Sequence, residues 1–454
     1  MNPSVDSDLE GTVLVSDRDS PVEKDSRPSF DIRLAAILAV AALLRFSVLL
    51  IRSFRGSRFA THDTAGYETL SKDLGAFTSK SDPHFALSVL RLPGYPVYLA
   101  VTHVITDSRI IGPMILQVLL GVGVVYATYK LGLILFVRPV ALCAAAVLAL
   151  DPMSIIYSSL ILSETLYTFL LVCSVALFWR PNHNRWTRGL AAGALLGLAT
   201  LSRPVSIYLW VPFVIAYLIL ERKQMRSAGT LVLAFLVGFG VIAGGWVVRN
   251  DVMAGAAVIS SEQGFNLLYQ RAVGSLEESQ HLHHARAHAK VLKELKEKLP
   301  PHASPGQVAQ AEQSLGISII EHHLGGYIKE AIKGGARLVF GPGNAELGPA
   351  TGGHLSGLVD GYALVYLIGC YALVLTGLWS AWRRHRLRYC VFPLIVIVYT
   401  IFVSSGSEAY SRFRVPIMPY VALLAGVGAL FFVHRGPDGA ALPRRVIRDD
   451  ELDD

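Results

Sequence analysis

The run AGTLVLAFLVGFGVIAGGWVV, residues 228–248, carries no charged residue from end to end, with Arg222, Lys223 and Arg226 before it and Arg249 after it. A helix that crosses a hydrocarbon core about 30 Å thick needs roughly 20 apolar residues, each rising about 1.5 Å. This run meets that length. Similar runs precede it at 34–51, 110–136, 139–150, 164–179, 189–201 and 205–220, and others follow at 358–380, 389–403 and 415–433. They predict an all-α polytopic membrane protein of about ten transmembrane helices.

Composition agrees. Of 454 residues, 52% are hydrophobic and 17% charged, and the mean hydropathy is +0.46, which excludes an ordinary soluble enzyme. The net charge of +7 does not gather on one surface. Its basic residues recur in short clusters between apolar runs, as topology determinants do, and argue against a nucleic-acid partner. Cys143, Cys173, Cys370 and Cys390 fall in or beside apolar runs with no CxxC pair, and read as small buried hydrophobes.

The clusters set the orientation. Arg138, then Arg180, Arg185 and Arg188, then Arg222, Lys223 and Arg226 occupy alternate connections. Arg383, Arg384, Arg386 and Arg388, then Arg435, Arg444, Arg445 and Arg448, continue the series. The positive-inside rule makes these connections cytoplasmic, and with them both termini. The polar stretch 1–33 then reads as a disordered cytoplasmic tail, and the first span as an uncleaved anchor. The N-terminal transmembrane region is 34–249, with its first outer loop at 52–109. An extracytoplasmic helical segment fills 250–356, C-terminal spans fill 357–434, and 435–454 is a second cytoplasmic tail. Within the outer segment, 275–299 has helical character. A second helix is expected from Ser304, with Pro305 in its first turn and Ile317, Ile320, Leu324, Ile328 and Ile332 at helical spacing.

Ionisable residues recur where the spans meet the outer side. Asp63 and Arg91 lie in the first outer loop, Asp151 and Glu164 flank an outer turn, Arg203 ends LSRP, and Arg249 ends WVVRN. Glu408, Arg412 and Arg414 occupy the last outer loop, SSGSEAYSRFRVP. Charges at such depth are costly unless they serve a function. Forked guanidinium donors suit the phosphate of an anionic lipid, and a carboxylate nearby can deprotonate an attacking hydroxyl. That chemistry transfers a sugar from a polyprenyl phosphate to an acceptor alcohol, and it needs no metal. A transporter or flippase of lipid-linked sugars is the alternative; it would need the arginines without the base, and internal repeats would favour it. His281, His284 and His288 share a helical face, but no carboxylate or cysteine closes a metal set around them.

Several segments resemble the GT-C superfamily of membrane glycosyltransferases, in particular bacterial relatives of dolichyl-phosphate-mannose protein mannosyltransferase and lipid A aminoarabinose transferase. They are HDTAGYETLSKDL, RLPGYPVYLA, DPMSIIYSSLILSETLYTFLL, LATLSRP, GGWVVRNDVMAGAAVISSEQGFNLLYQ and SRFRVPIMPYVALLAG, in the family's order. The resemblance implies a GT-C-like bundle in a bacterial plasma membrane and an inverting transferase using a polyprenyl-phosphate-linked sugar. The acceptor would be a glycan, a lipid or a protein. It makes Asp63 the catalytic base and sets Arg203, Arg249 and Arg412 or Arg414 at the donor phosphate. Tyr67 and Glu164 fall in the pocket, which Arg91, Tyr95 and Glu408 complete. Many relatives carry a second carboxylate in the first loop, whereas Thr64 follows Asp63 here. A divalent metal is therefore possible as a cofactor but unsupported.

Overall fold

The computed structural model describes residues 31–433 except 55–60, 62, 109, 182–183, 342 and 344–355. The expected tails, apart from 31–33, lie outside the described residues. Twenty α-helices account for most of the rest. The first four are α1 (Ile32–Phe54), α2 (Thr64–Lys72), α3 (Phe85–Leu90) and α4 (Gly94–Thr106). Next come α5 (Ile111–Leu135), α6 (Arg138–Ala149), α7 (Pro152–Tyr157), α8 (Glu164–Trp179), α9 (Arg185–Ser202) and α10 (Trp210–Leu220). A π-helical turn, Gly240–Gly244, joins α11 (Met225–Phe239) to α12 (Gly245–Ala254). Then follow α13 (Glu262–Phe265), α14 (Val273–Gln280), α15 (His284–Lys298), α16 (Pro305–His322) and α17 (Leu324–Phe340). The chain closes with α18 (Ser356–Arg383), α19 (Val391–Ser404), the 3-10 turn Ser411–Ile417 and α20 (Met418–Val433).

This is a multi-pass integral membrane protein. Among the described residues, six helices are long and apolar enough to span: Ile32–Phe54, Ile111–Leu135, Arg222–Ala254, Gly357–Arg383, Leu387–Ser404 and Ser411–Phe431. The expected ten is corrected to six by that measure. Arg138–Ala149, Glu164–Trp179 and Pro204–Leu220 are apolar but fall short of the roughly 20 residues a crossing requires. Val140 and Ala144 of α6, Tyr167 and Val175 of α8 and Phe213 of α10 are buried in the main core.

Small residues let the helices close on one another. Gly193 of α9 sits so near the Phe235 carbonyl of α11 that a Cβ there would overlap it, and Gly197 meets Ile242 in the same way. Such close approach replaces the hydrophobic effect as the source of helix association in lipid. Helix order sends α5, α8 and α18 away from the end where the loop 61–108 lies, and α6, α9 and α19 back toward it. Arg138, Arg180, Arg185, Arg188, Arg383 and Arg388 therefore lie together at the opposite end.

The helices between α12 and α18 form their own small core around Leu268, Leu276, Val291 and Leu315. Ser304 caps α16 through a full capping box with Gln307, as its sequence suggests. The expected single helix beyond it breaks at His323, where α17 begins. Likewise 275–299 breaks at His281, whose φ is +53°.

Candidate active site

Asp63 stands at the N-cap of α2, where a carboxylate ordinarily accepts from the first backbone N–H groups. Its side chain makes no such bond. It turns instead between two guanidinium groups: Arg91 Nη2 donates to Oδ1 at 2.7 Å and Arg412 Nη1 to Oδ2 at 2.8 Å. Arg91 also donates through Nη1 to Glu262 Oε1 at 2.8 Å. On the other side, Arg412 Nε lies 4.0 Å from Glu164 Oε1, and Glu164 pairs with Arg203. The result is one chain of alternating charge, Glu262–Arg91–Asp63–Arg412–Glu164–Arg203. Three carboxylates balance three guanidinium groups, which is what makes their joint burial tolerable.

Local structure explains how six distant residues meet. Thr64 donates through Oγ1 to the Ile161 carbonyl and ties the start of α2 to the turn before α8. Glu164 opens α8 and is wholly buried, where the positive end of the helix dipole favours a carboxylate. In the Pro-Gly-Tyr-Pro segment, a Cβ on Gly94 would lie 2.6 Å from Ser202 Oγ and 2.7 Å from the Leu201 carbonyl. Only glycine allows α4 to press on the end of α9, one residue before Arg203. Tyr95 donates to Gln117, whose amide donates to the Tyr157, Ser158 and Leu160 carbonyls and so fixes the turn between α7 and α8. Ser261 N donates to the Val89 carbonyl and Ser260 Oγ to that of Leu90, which sets Glu262 beside Arg91. Arg412 comes from the 3-10 turn before α20.

Burial pushes the Asp63 pKa up, but the Arg412 and Arg91 guanidinium groups outweigh it and hold the carboxyl below the usual aspartate range. At Glu262 burial prevails over Arg91, and the pKa is raised. Burial also pushes the Tyr67 hydroxyl up to about 12, so it stays protonated. The Tyr67 ring lies under Arg91, 5.5 Å from it, and edge-on to Tyr95 at 4.9 Å.

Asp63, Arg91, Glu164, Arg203 and Arg412 thus come together, with Tyr67 and Tyr95 behind them. Arg249, Arg414 and Glu408 do not join the network. Arg249 donates to the Phe77 and Ala76 carbonyls, Ser88 Oγ and Asn250 Oδ1, and stacks on Trp246. Arg414, only 1% exposed, donates to the Leu338, Val339 and Gly341 carbonyls. Glu408 pairs with Arg271. Glu262 was not singled out from the sequence, although it lies inside the segment GGWVVRNDVMAGAAVISSEQGFNLLYQ.

Residues 92–246, about a third of the chain, match the family model described as dolichyl-phosphate-mannose-protein mannosyltransferase. The fold has solved counterparts. The apo oligosaccharyltransferase of Archaeoglobus fulgidus aligns over 88% of this chain at a TM-score of 0.53 and 12% identity. The likeness to that enzyme is one of fold.

The chain spans about half the length of that archaeal enzyme, 51% of it. The same archaeal protein, AglB, in complex with an inhibitory peptide and dolichol-phosphate, aligns at a TM-score of 0.49 and 14% identity, covering 88% of this chain and 50% of that one. ArnT from Cupriavidus metallidurans bound to undecaprenyl phosphate aligns at a TM-score of 0.40 and 15% identity, covering 87% and 77%. No curated protein matches the sequence.

For a metal, the described residues offer Asp73, Asp82 and His84, whose ligand atoms lie within 4.8 Å of one another. His84 Nδ1 and Asp73 Oδ2 are 2.8 Å apart, a hydrogen bond that already satisfies the pair. His284 pairs with Glu277 on an exposed surface, and His288 stacks near Tyr269.

Proposed function

We propose that the chain is a membrane glycosyltransferase. It moves a sugar from a polyprenyl-phosphate-linked donor to an acceptor hydroxyl at the extracytoplasmic face of the membrane, with inversion. The observation that carries this reading is the placement of Asp63 between Arg91 and Arg412, with Glu164 and Arg203 beyond. A base and a set of forked phosphate donors then share one site.

In this reading Arg412 and Arg203 receive the donor phosphate, while Asp63 takes the proton of the acceptor hydroxyl. The acceptor oxygen bonds to the anomeric carbon from the face opposite the leaving group. The carbon–oxygen bond to phosphate breaks, and polyprenyl phosphate departs with the electron pair, its charge met by the guanidinium groups. A carboxylate clamped by two arginines is a weak base. A phosphate that draws Arg412 away releases one clamp, so Asp63 becomes a better base once the donor is bound. Arg249 and Arg414, spent on backbone carbonyls, act on the shape of the site. The reading also takes both termini as cytoplasmic, 52–109 as the outer catalytic loop and 250–356 as an outer segment above the donor. The order of the basic connections supports it.

The test is to incubate the purified chain with a labelled polyprenyl-phosphate sugar and candidate glycan, lipid and protein acceptors. Release of free polyprenyl phosphate with labelled acceptor supports the transferase. Passage of intact donor across vesicles, with no release, supports a flippase instead.

A further inference from the structure

The apolar residues spaced along α17 face outward. Leu324, Ile328, Ile332 and Phe340 recur every four or eight residues, and Ile332 and Phe340 are 67% and 65% exposed. Ala336 fills the remaining place in the row and is also exposed. A row of cations runs beside it, one residue further on each time: Lys329, Lys333, which pairs with Glu278, and Arg337, which pairs with Glu330 at 2.8 Å. At about 1.5 Å per residue the helix extends some 25 Å, so this is a long apolar stripe with a basic border. Such a stripe on a helix outside the spans is not explained by folding, since Gly326, Gly334 and Leu338 on the other face supply the packing.

The position of α17 identifies what covers the stripe. Its last turns are fastened to the middle of α18 and to the turn before α20. Tyr371 of α18 donates to the Val339 carbonyl at 2.7 Å, and Arg414 donates to the carbonyls of Leu338, Val339 and Gly341. Gly334 rests on the Gly406 backbone just past α19. The Phe340 ring lies edge-on to Tyr371 of α18 at 6.1 Å and is itself widely exposed. The stripe thus ends against a helix long and apolar enough to span.

We propose that α17 is an interfacial helix. Leu324, Ile328, Ile332 and Phe340 enter the acyl region of the leaflet on the candidate-site side, while Lys329 reaches phospholipid phosphates and Lys333 and Arg337 stay on Glu278 and Glu330. The same fastenings join α17 to the turn that carries Arg412, so the leaflet and the site are held at a fixed height relative to one another.

The test uses the full chain, with its four native cysteines replaced by alanine and a nitroxide placed at Ile332→Cys or Ile328→Cys. It is reconstituted in vesicles of phosphatidylethanolamine and phosphatidylglycerol. Lys293→Cys, on the exposed side of α15, is the control. Oxygen should relax the labels at 332 and 328 more than a water-soluble nickel chelate does, with a ratio on the order of threefold above the control. Nickel access equal to that at 293 would overturn the proposal. Shielding from both reagents would overturn it as well, and would point to a protein segment over the stripe.

Discussion

Two groups of arginines lie toward the candidate-site side of the bundle, and they differ in what they hold. Arg91, Arg203 and Arg412 hold carboxylates, which a phosphate can replace charge for charge. Arg249 and Arg414 hold backbone carbonyls, which cannot leave without unmaking the loop or the helix end they belong to. The first group is arranged for exchange and the second for permanence. An arginine at a helix end is thus a donor in search of a partner, and the partner decides whether it serves chemistry or architecture.

The largest effect that could break this division is at Asp63. Asp63→Asn keeps the side chain's size but removes the base and one of the two acceptors, and should cost transfer about 10³-fold or more with donor binding retained. Undiminished turnover would remove Asp63 from the reaction. The charge also bears on stability. The folded pKa of Asp63 lies below its unfolded value, so its ion pairs stabilise the fold at neutral pH. That contribution is lost as the pH falls below about 4 toward the folded value.

Arg414→Met is expected to act the other way. The Leu338 and Gly341 carbonyls lose this donor while Val339 keeps Tyr371, which should destabilise the protein by about 2 kcal/mol or more in a thermal or denaturant melt. Turnover per folded molecule should hold. A variant that melts normally yet turns over slowly would move Arg414 into the exchangeable group.

Glu262→Gln sharpens the comparison by a smaller amount. Glu262 shares Arg91 with Asp63, and its charge opposes ionisation of the aspartate. Removing that charge leaves Arg91 to Asp63 alone and lowers the aspartate's pKa further. The acid limb of the kcat/KM profile should then move to lower pH by up to about one unit, and Glu262→Asp should restore it. A limb that stays in place would separate Glu262 from the base.

The spans were legible in the sequence because a bilayer imposes length and apolarity on a single segment, as in 228–248 inside Arg222–Ala254. The short helices α6, α8 and α10 were legible as apolar, and 139–150 also as short, but burial within protein and exposure to lipid select the same residues. The start of α16 was readable from Ser304 and Pro305. The outward face of α17 was not, because spacing gives a stripe without saying which way it points. At the site, Asp63, Arg91, Glu164, Arg203 and Arg412 could be picked out by charge beside apolar runs. Glu262 could not, for its significance comes from the bonds of Ser260 and Ser261 to the end of α3, a contact across some 170 residues.

The division between the two groups is tested most directly by equilibrium binding of polyprenyl phosphate to matched arginine-to-lysine variants, each of which keeps its charge and loses its fork. Arg412→Lys and Arg203→Lys should weaken binding about tenfold or more, and Arg249→Lys should leave the affinity of the folded protein near that of the parent. Equal losses at Arg249 and Arg412 would contradict the account.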